Sequence, residues 1–347
     1  MLPNPCVFEP CARAIFAAFL LALGLLLAAP GDADALPFAD LAGHWARDVI
    51  TEMQAMDLVR GDGDGRVRPD DPITREECVV LLLRALDIAP ETVSTASFVD
   101  VEPSRWSHAA IEKAVALGLV YGVDATRFRP RDPVTREQLA ALLVRAGEAL
   151  VEARSGAPRF GDVPPERWSA TYIRDAWRFG LINGVTDRLF EPARPATRAE
   201  TFVVVRRFLA GETKESFLPD PSAVAEAVYA FEESLAAAVN QGPPHRWSAP
   251  YDYVVGAARG ALAEMERAYR NAAEAGAAVS ILNHELQARV TGLSRHLATV
   301  EATRTQTVSL SGPGLEPVTE TRTRKATYTL RLVEGRWRIY GFGYTEA

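Results

Sequence analysis

The sequence is poor in cysteine: three residues in 347, two of which, Cys6 and Cys11, fall within the first eleven positions. Without that end only Cys78 remains, so no disulfide can form within the rest of the chain and stability must come from packing. Cys78 sits in an apolar run and reads as a buried structural thiol rather than a reactive one. Lysine is equally scarce, at Lys113, Lys214 and Lys325, and the formal charge is −7. A chain of that sign lacks the basic surface that neutralises phosphates, which argues against nucleic acid as a partner. There is no His-Glu-x-x-His, no Gly-x-Ser-x-Gly, no phosphate loop and no cysteine nucleophile. Glu264 and Glu266, two apart, face different sides of a helix and do not form an acid–base pair. No enzyme, cofactor or metal is therefore expected. Asp62-Gly63-Asp64-Gly65 alternates carboxylates as a calcium loop does, but lacks the downstream bidentate glutamate and reads as a turn.

Long hydrophobic runs are missing too. The longest, Ile15 to Leu27, has about 13 residues, short of the about 20 that span a bilayer. Arg13 precedes it and Ala33-Asp34-Ala35 follows as a small-x-small site, so residues 1–35 read as a signal peptide, with an uncleaved anchor as the alternative. The expectation is a secreted protein with no membrane span after signal cleavage. It shows no C-terminal sorting tail, so retention on the cell has to be non-covalent.

What the chain does have is a stretch that occurs three times, over residues 38–84, 98–145 and 160–207. Each copy opens with Phe-x-Asp (Phe38/Asp40, Phe98/Asp100, Phe160/Asp162) and soon reaches a tryptophan, Trp45, Trp106 or Trp168. A glycine follows (Gly61, Gly122, Gly184), then two prolines, then Thr74-Arg75, Thr135-Arg136 or Thr197-Arg198. A period this long suggests compact modules rather than a thin solenoid. Trp45, Val49, Met53 and Met56 recur at helical spacing, as do Trp106, Ala110, Ala114 and Leu117, which predicts a first helix with the tryptophan on its apolar face. The glycine is expected to end that helix in the left-handed conformation. Thr74/Glu77, Thr135/Gln138 and Thr197/Glu200 have the spacing of a capping box, and each opens a second, apolar helix.

This constellation resembles the S-layer homology family, whose repeats carry Ile-Thr-Arg-Ala-Glu at this place. Here it stands as Ile73-Thr74-Arg75-Glu76-Glu77, Val134-Thr135-Arg136-Glu137-Gln138 and Ala196-Thr197-Arg198-Ala199-Glu200, with only threonine and arginine unchanged. The Phe-x-Pro of the other two copies is Val67-Arg68-Pro69 in the first. The resemblance covers about half of the chain. It implies an all-α, pseudo-threefold assembly around a central bundle, and a role as an anchor whose grooves between repeats grip cell-wall polysaccharide or a peptidoglycan-linked polymer, often one with a pyruvate ketal.

An arginine beside a helix cap in every copy lies near the positive end of a dipole, where an anion is favoured, and its planar fork suits a carboxylate. Aspartate and tryptophan would add hydroxyl hydrogen bonds and a stacking surface; alternatively the aspartates only cap, the tryptophans only fill core and the three arginines are simply solvated. The candidate glycan-binding set is Asp40, Trp45, Gly61 and Arg75; Asp100, Trp106, Gly122 and Arg136; Asp162, Trp168, Gly184 and Arg198.

The remainder differs in kind. Ala223–Val239 and Val254 to about Ala275 read as helices. Val300 to Leu310, Thr319 to Val333 and a run through Trp337-Arg338-Ile339-Tyr340 alternate as strands, with turns at Ser311-Gly312-Pro313-Gly314 and Glu334-Gly335. Helices followed by a meander closing on Gly335-Arg336-Trp337-Arg338-Ile339 resembles the nuclear-transport-factor-2-like (NTF2-like) cone. Cone folds host both enzymes and inert modules, so the fold decides nothing about chemistry. His245, His284, His296 and Asp252 are the groups that could meet in a cone pocket.

The expected organisation is a multidomain chain: signal peptide 1–35, repeats 36–95, 96–157 and 158–210, a linker at 211–221, and an α+β domain at 222–347. The expected function is a cell-wall or cell-surface anchor presenting a C-terminal domain to an unknown ligand or protein. Two alternatives remain open: a small NTF2-like enzyme tethered by the repeats, and a structural protein of a surface lattice or of an outer-membrane-to-peptidoglycan link.

Overall fold

The computed structural model describes residues 38–91, 93–94, 96–147, 156–158, 160–211, 218–242, 247–313 and 315–346. The signal-peptide expectation for 1–35, most of the linker and His245 lie outside the described residues. The chain divides into two units, one of Pro37–Leu218 with Ser294–His296, the other containing Pro219–Leu293 and Leu297–Ala347. No helix among the described residues is long and apolar enough to cross a membrane.

In the first unit each repeat supplies two helices: α1 (Arg47–Ala55) and α2 (Arg75–Ala85), α3 (His108–Ala116) and α4 (Arg136–Gly147), α5 (Ala170–Arg178) and α6 (Arg198–Gly211). The tryptophans stand before the first helices and outside the core. Trp45, Trp106 and Trp168 are 65%, 62% and 54% exposed. Met53, Met56, Ala110 and Ala114 of the expected stripes are buried, but at the start of each helix the buried positions are Ala46 and Ile50, and Ser107 and Ile111.

The helix-ending residues also differ from those expected. The left-handed positions are Asp57, Gly118 and Gly180, whereas Gly61, Gly122 and Gly184 have ordinary backbone angles. Glycine is required at the latter for room. A Cβ on Gly61 would stand 2.5 Å from the Phe38 ring, and one on Gly122 would stand 2.6 Å from the Phe98 ring and 2.7 Å from the Arg127 carbonyl.

The second helices begin as the capping-box spacing requires. Glu77 N donates to Thr74 Oγ1 (3.3 Å) and Thr74 N to Glu77 Oε2 (2.9 Å). Thr135/Gln138 and Thr197/Glu200 repeat the exchange. The segments before the caps close on one another in a ring. Ile73 N donates to Ala196 O (3.1 Å), Ala196 N to Val134 O (2.9 Å) and Val134 N to Ile73 O (2.9 Å). All three side chains are buried. Helix packing follows the same cyclic order: α2 meets α3, α4 meets α5, and α6 meets α1.

The second unit is α+β. Helix α7 (Pro221–Gln241), a turn of helix α8 (Ser248–Tyr251) and α9 (Gly256–Glu274) precede an antiparallel meander of β1 (Ala278–Leu293), β2 (Leu297–Gly312), β3 (Leu315–Val333) and β4 (Arg336–Glu346), in that order across the sheet. Asp220 caps α7 with Pro221 in its first turn. Val228, Phe231 and Leu235 of α7 and Leu262 and Tyr269 of α9 pack with Val300, Tyr328, Leu330, Ile339 and Phe342 of the sheet. Asn240 stands in for a strand residue at the outer edge of β1, accepting from Ile281 N and donating to Ile281 O, both at 2.7 Å. Val255 N and Tyr253 O do the same for β4 at Ile339. Such cover blunts a sheet edge that would otherwise recruit another strand.

Candidate ligand grooves between the repeats

Each aspartate of Phe-x-Asp accepts from two consecutive backbone N–H groups in the hook before the second helix. Asp100 takes Phe128 N (2.9 Å) and Arg129 N (2.7 Å); Asp40 takes Val67 N and Arg68 N; Asp162 takes Phe190 N and Glu191 N. The second residue of each pair, Arg68, Arg129 or Glu191, has a positive φ of 51°, 57° or 59°. Few non-glycine residues adopt that conformation, and the carboxylate bonds hold it in place. The aspartates are therefore hook clamps, a role distinct from both the helix capping and the sugar contacts expected of them. Burial alone would raise the Asp162 carboxyl, but the bonds from Phe190 and Glu191 outweigh it and hold its pKa below the usual carboxylate value.

The carbonyl of the clamped residue points to the neighbouring repeat's arginine. Arg75 Nε donates to Phe128 O (2.9 Å) and Nη2 to Tyr121 O (3.0 Å); Arg136 Nε donates to Phe190 O (2.8 Å) and Nη2 to Asn183 O (2.9 Å); Arg198 Nε donates to Val67 O (2.8 Å). Arg75 and Arg136 also lie over the Phe128 and Phe190 rings, at 4.4 and 4.7 Å. Where Val67 replaces phenylalanine, Arg198 leans instead over Phe202 of its own helix. One peptide group thus separates aspartate from arginine in each case, and the arginines stitch repeat to repeat.

The third guanidinium nitrogen distinguishes the copies. Arg198 Nη1 meets Glu77 Oε1 at 2.9 Å and Arg136 Nη1 meets Glu200 Oε1 at 3.3 Å. The acid is the capping-box residue of the next repeat in the ring, using the oxygen not engaged in the cap. In the remaining copy that residue is Gln138, whose Oε1 serves the cap, so an amide nitrogen replaces the second oxygen. Arg75 Nη1 has no hydrogen-bond partner, and Arg75 makes no ion pair, among the described residues. The three guanidinium groups expected to be equivalent are not: two are ion-paired within the fold, and Arg136 is only 7% exposed. Burial lowers the pKa of both Arg75 and Arg136; Glu200 opposes this at Arg136, and Cys78, Asp132 and Asp100 oppose it at Arg75.

Arg75 lines a cavity of about 430 Å³ with Tyr121, Gly122, Gln138, Arg145 and Trp168. The structure therefore brings one candidate from each repeat together, Arg75, Gly122 and Trp168, rather than the aspartate, tryptophan and arginine of a single copy. Asp100 and Trp106 line a second, wider groove of about 900 Å³ with Arg127, Arg129 and Asp132.

Residues that the sequence reading passed over form the seams. Glu76 accepts two bonds from Arg105 (2.7 Å each) and one from Ser107 (2.6 Å); Glu137 does the same with Arg167 and Ser169. The corresponding positions of the third seam are Ala199, His44 and Ala46. Burial would raise Glu76, but the bonds from Arg105 and Ser107 hold its carboxyl below its ordinary value.

Residues 37–77, 97–140 and 159–202 each match the S-layer homology domain family. The repeats are S-layer homology domains. Over 172 residues the chain is 34% identical to an amylopullulanase of Thermoanaerobacterium thermosulfurigenes, covering 48% of this chain and 9% of the relative. It is 33% identical to exoglucanase XynX of Acetivibrio thermocellus, at 48% and 16% coverage, and 30% identical to a surface-layer 125 kDa protein of Lysinibacillus sphaericus, at 49% and 14%. The chain thus spans a small fraction of each relative. Among solved structures, the intermembrane space region of the chloroplast protein ARC6 overlaps 37% of this chain and 98% of its own, at 20% identity and a TM-score of 0.31. An NTF2-like family structure from Streptomyces avermitilis covers 37% and 99%, at 14% identity and a TM-score of 0.27. Scores of that size carry no argument.

Of the groups that could meet in a cone pocket, His245 lies outside the described residues and His296 belongs with the first unit, where it is buried; His284 is exposed on β1 and bonded to Thr307, and Asp252 is exposed after α8. The ionised core lies elsewhere, at Glu232 of α7. It pairs with Arg304 and accepts from the Tyr328 and Tyr344 hydroxyls, and all four side chains are buried. A glutamate amid Val228, Phe231 and Leu235, and an arginine at the inward parity of Val300 and Ala302, were the signals available in the sequence.

Proposed function

We propose that the chain is a secreted, non-enzymatic anchor that holds to the cell surface through its S-layer homology domains by gripping cell-wall polysaccharide. The domain limits remain those read from the sequence, with 1–35 removed on export. The ring of hydrogen bonds through Ile73, Val134 and Ala196 supports a pseudo-threefold arrangement of the repeats, and the helices-then-meander order of 222–347 supports an NTF2-like cone. The observation that carries the reading is the 430 Å³ groove in which Arg75, an arginine with no ion pair among the described residues, lines the same cavity as the half-exposed ring of Trp168. A guanidinium fork and an exposed indole suit an acidic sugar polymer: one binds the charge, the other the ring face. The S-layer homology domains shared with a surface-layer protein and with polysaccharide-degrading enzymes fit an attachment module joined to varied cargo.

The α+β unit would then be the cargo, presented for an interaction. A non-catalytic role is supported by Glu232, whose two oxygens are taken by Arg304 and by two phenols, so that this buried carboxylate is not poised as an acid or base. The test is retention of the purified protein on isolated wall sacculi before and after chemical removal of their polysaccharide. Retention only on the intact sacculi is expected; equal retention on both would sink polymer binding.

A further inference from the structure

We propose that the Arg75 groove is the one of the three that captures the polymer, and that it takes a glycan segment bearing two negative groups, one at Arg75 and one at Arg145. This rests on the anchoring reading and narrows it. The other two cap arginines already have an acid: Glu77 on Arg198 and Glu200 on Arg136 occupy the guanidinium edge that an external anion would need. In the Arg75 groove Gln138 presents amide donors there instead, so an incoming anion meets two donors at that edge in place of a carboxylate.

Arg145 adds the second cation. Its guanidinium lies 4.6 Å from the Tyr121 ring centre and 4.8 Å from that of Tyr172, donates to Leu119 O and the Tyr172 hydroxyl, and has no carboxylate partner among the described residues. By contrast, Arg206, late in the third repeat's second helix, is bidentate to Glu52 at 2.7 and 2.8 Å. Tyr121 holds both cations of the groove, Arg75 through its carbonyl and Arg145 through its ring, so their separation is fixed before any ligand arrives. The one carboxylate lining the cavity, Glu137, is saturated by Arg167 and Ser169. A cavity of about 430 Å³ is within the usual range for small-ligand sites. Trp168, in the same lining, offers a face for a sugar ring.

The required chemistry is anionic oxygen in a fork geometry, which a sugar carboxylate and a phosphodiester both supply. The test is calorimetric titration of the full chain with wall-polysaccharide fragments from the cells that make it, used untreated, carboxyl-reduced and dephosphorylated. Gln138→Glu is the decisive variant. Glutamate fills the same cap position at Glu77 and Glu200, so the fold is kept and only the charge in the groove changes. Its affinity is expected to fall about ten-fold or more, as is that of Arg145→Gln, while Arg174→Gln, which removes an exposed arginine paired with its chain neighbour Asp175 and outside the groove lining, stays within about two-fold of the parent. Loss of binding on carboxyl reduction identifies sugar acids as the source, and loss on dephosphorylation identifies phosphodiesters. Retained binding after both treatments overturns the proposal, as does undiminished affinity of Gln138→Glu or an equal loss in Arg174→Gln. If the parent chain binds no fragment at all, the anchoring reading itself falls.

Discussion

Replacing Glu76 by alanine separates two ideas about what holds the ring of repeats together. Glu76 is 6% exposed and accepts three bonds, two from Arg105 across the seam between α2 and the start of the second repeat and one from Ser107, which is wholly buried. Removing it strands a hydroxyl and most of a guanidinium group. Breaking a buried pair from one side costs about 3–5 kcal/mol, and since the Arg105 side chain keeps 17% exposure the low end, about 3 kcal/mol, applies. For a unit of this size that is a fall in melting temperature of about 6–12 °C. The third seam shows that the same interface closes without the cluster, using Ala199, His44 and Ala46. The triple variant Glu76→Ala/Arg105→His/Ser107→Ala removes donors and acceptor together and is expected to lie within about 1 kcal/mol of the parent, since taking both partners away leaves nothing unsatisfied. Denaturant unfolding of the three proteins, followed by tryptophan fluorescence, reads the comparison directly. If the triple variant is as unstable as Glu76→Ala, or if the single change costs less than about 0.5 kcal/mol, the seam is not held in the way described.

Three further expectations follow from the same geometry. Gly122→Ala places a methyl group 2.7 Å from a carbonyl that cannot yield and 2.6 Å from the Phe98 ring, so the melting temperature should drop by the equivalent of about 1–3 kcal/mol; an unchanged melt would show that the hook has slack. In the α+β unit, burial and the charge of Glu232 push the Tyr328 and Tyr344 hydroxyls above the ordinary tyrosine value. A phenol whose pKa is higher folded than unfolded stabilises fully below about pH 10 and loses that contribution as pH rises toward the folded value. Stability of this unit should therefore decline above pH 10, and less so in Tyr344→Phe; thermal melts that are flat through that range would refute it. Glu232→Ala leaves Arg304 as a buried, uncompensated cation and should cost about 3–5 kcal/mol, measured by denaturant unfolding, whereas Glu232→Gln should cost less because it keeps an acceptor for the phenols.

The repeats were legible because they are written in short-range chemistry. A threonine three residues before Glu77, Gln138 or Glu200 specifies a helix start wherever it occurs, and the structure has all three. What spacing could not give was contact between copies. The tryptophans recur at helical intervals with apolar residues, yet the helix begins at Arg47 rather than at Trp45, which turns the indole out to solvent and moves Ile50 inward. Gly61, Gly122 and Gly184 look like helix stops because glycine usually is one; the clash that requires it involves Phe38, Phe98 and Phe160, more than twenty residues earlier in the chain. In the α+β unit the helices and strands follow from alternation and turns. Arg304, Tyr328 and Tyr344, by contrast, lie 72 to 112 residues from Glu232 along the chain, a pairing no local pattern reveals.

The position that closes each capping box does two jobs with two different atoms. Glu77 caps through Oε2 and neutralises Arg198 through Oε1; Glu200 caps through Oε2 and faces Arg136 through Oε1. A helix start needs only the first atom, so glutamine serves there as well as glutamate. The second atom is read by another repeat, and there the two residues are opposites, an anion against a donor. A substitution that is silent within its own helix thus decides whether a groove one interface away carries free positive charge. Sequence identity among the three threonine–arginine motifs therefore says little about the charge each groove carries, and the residue three places past the threonine says a great deal.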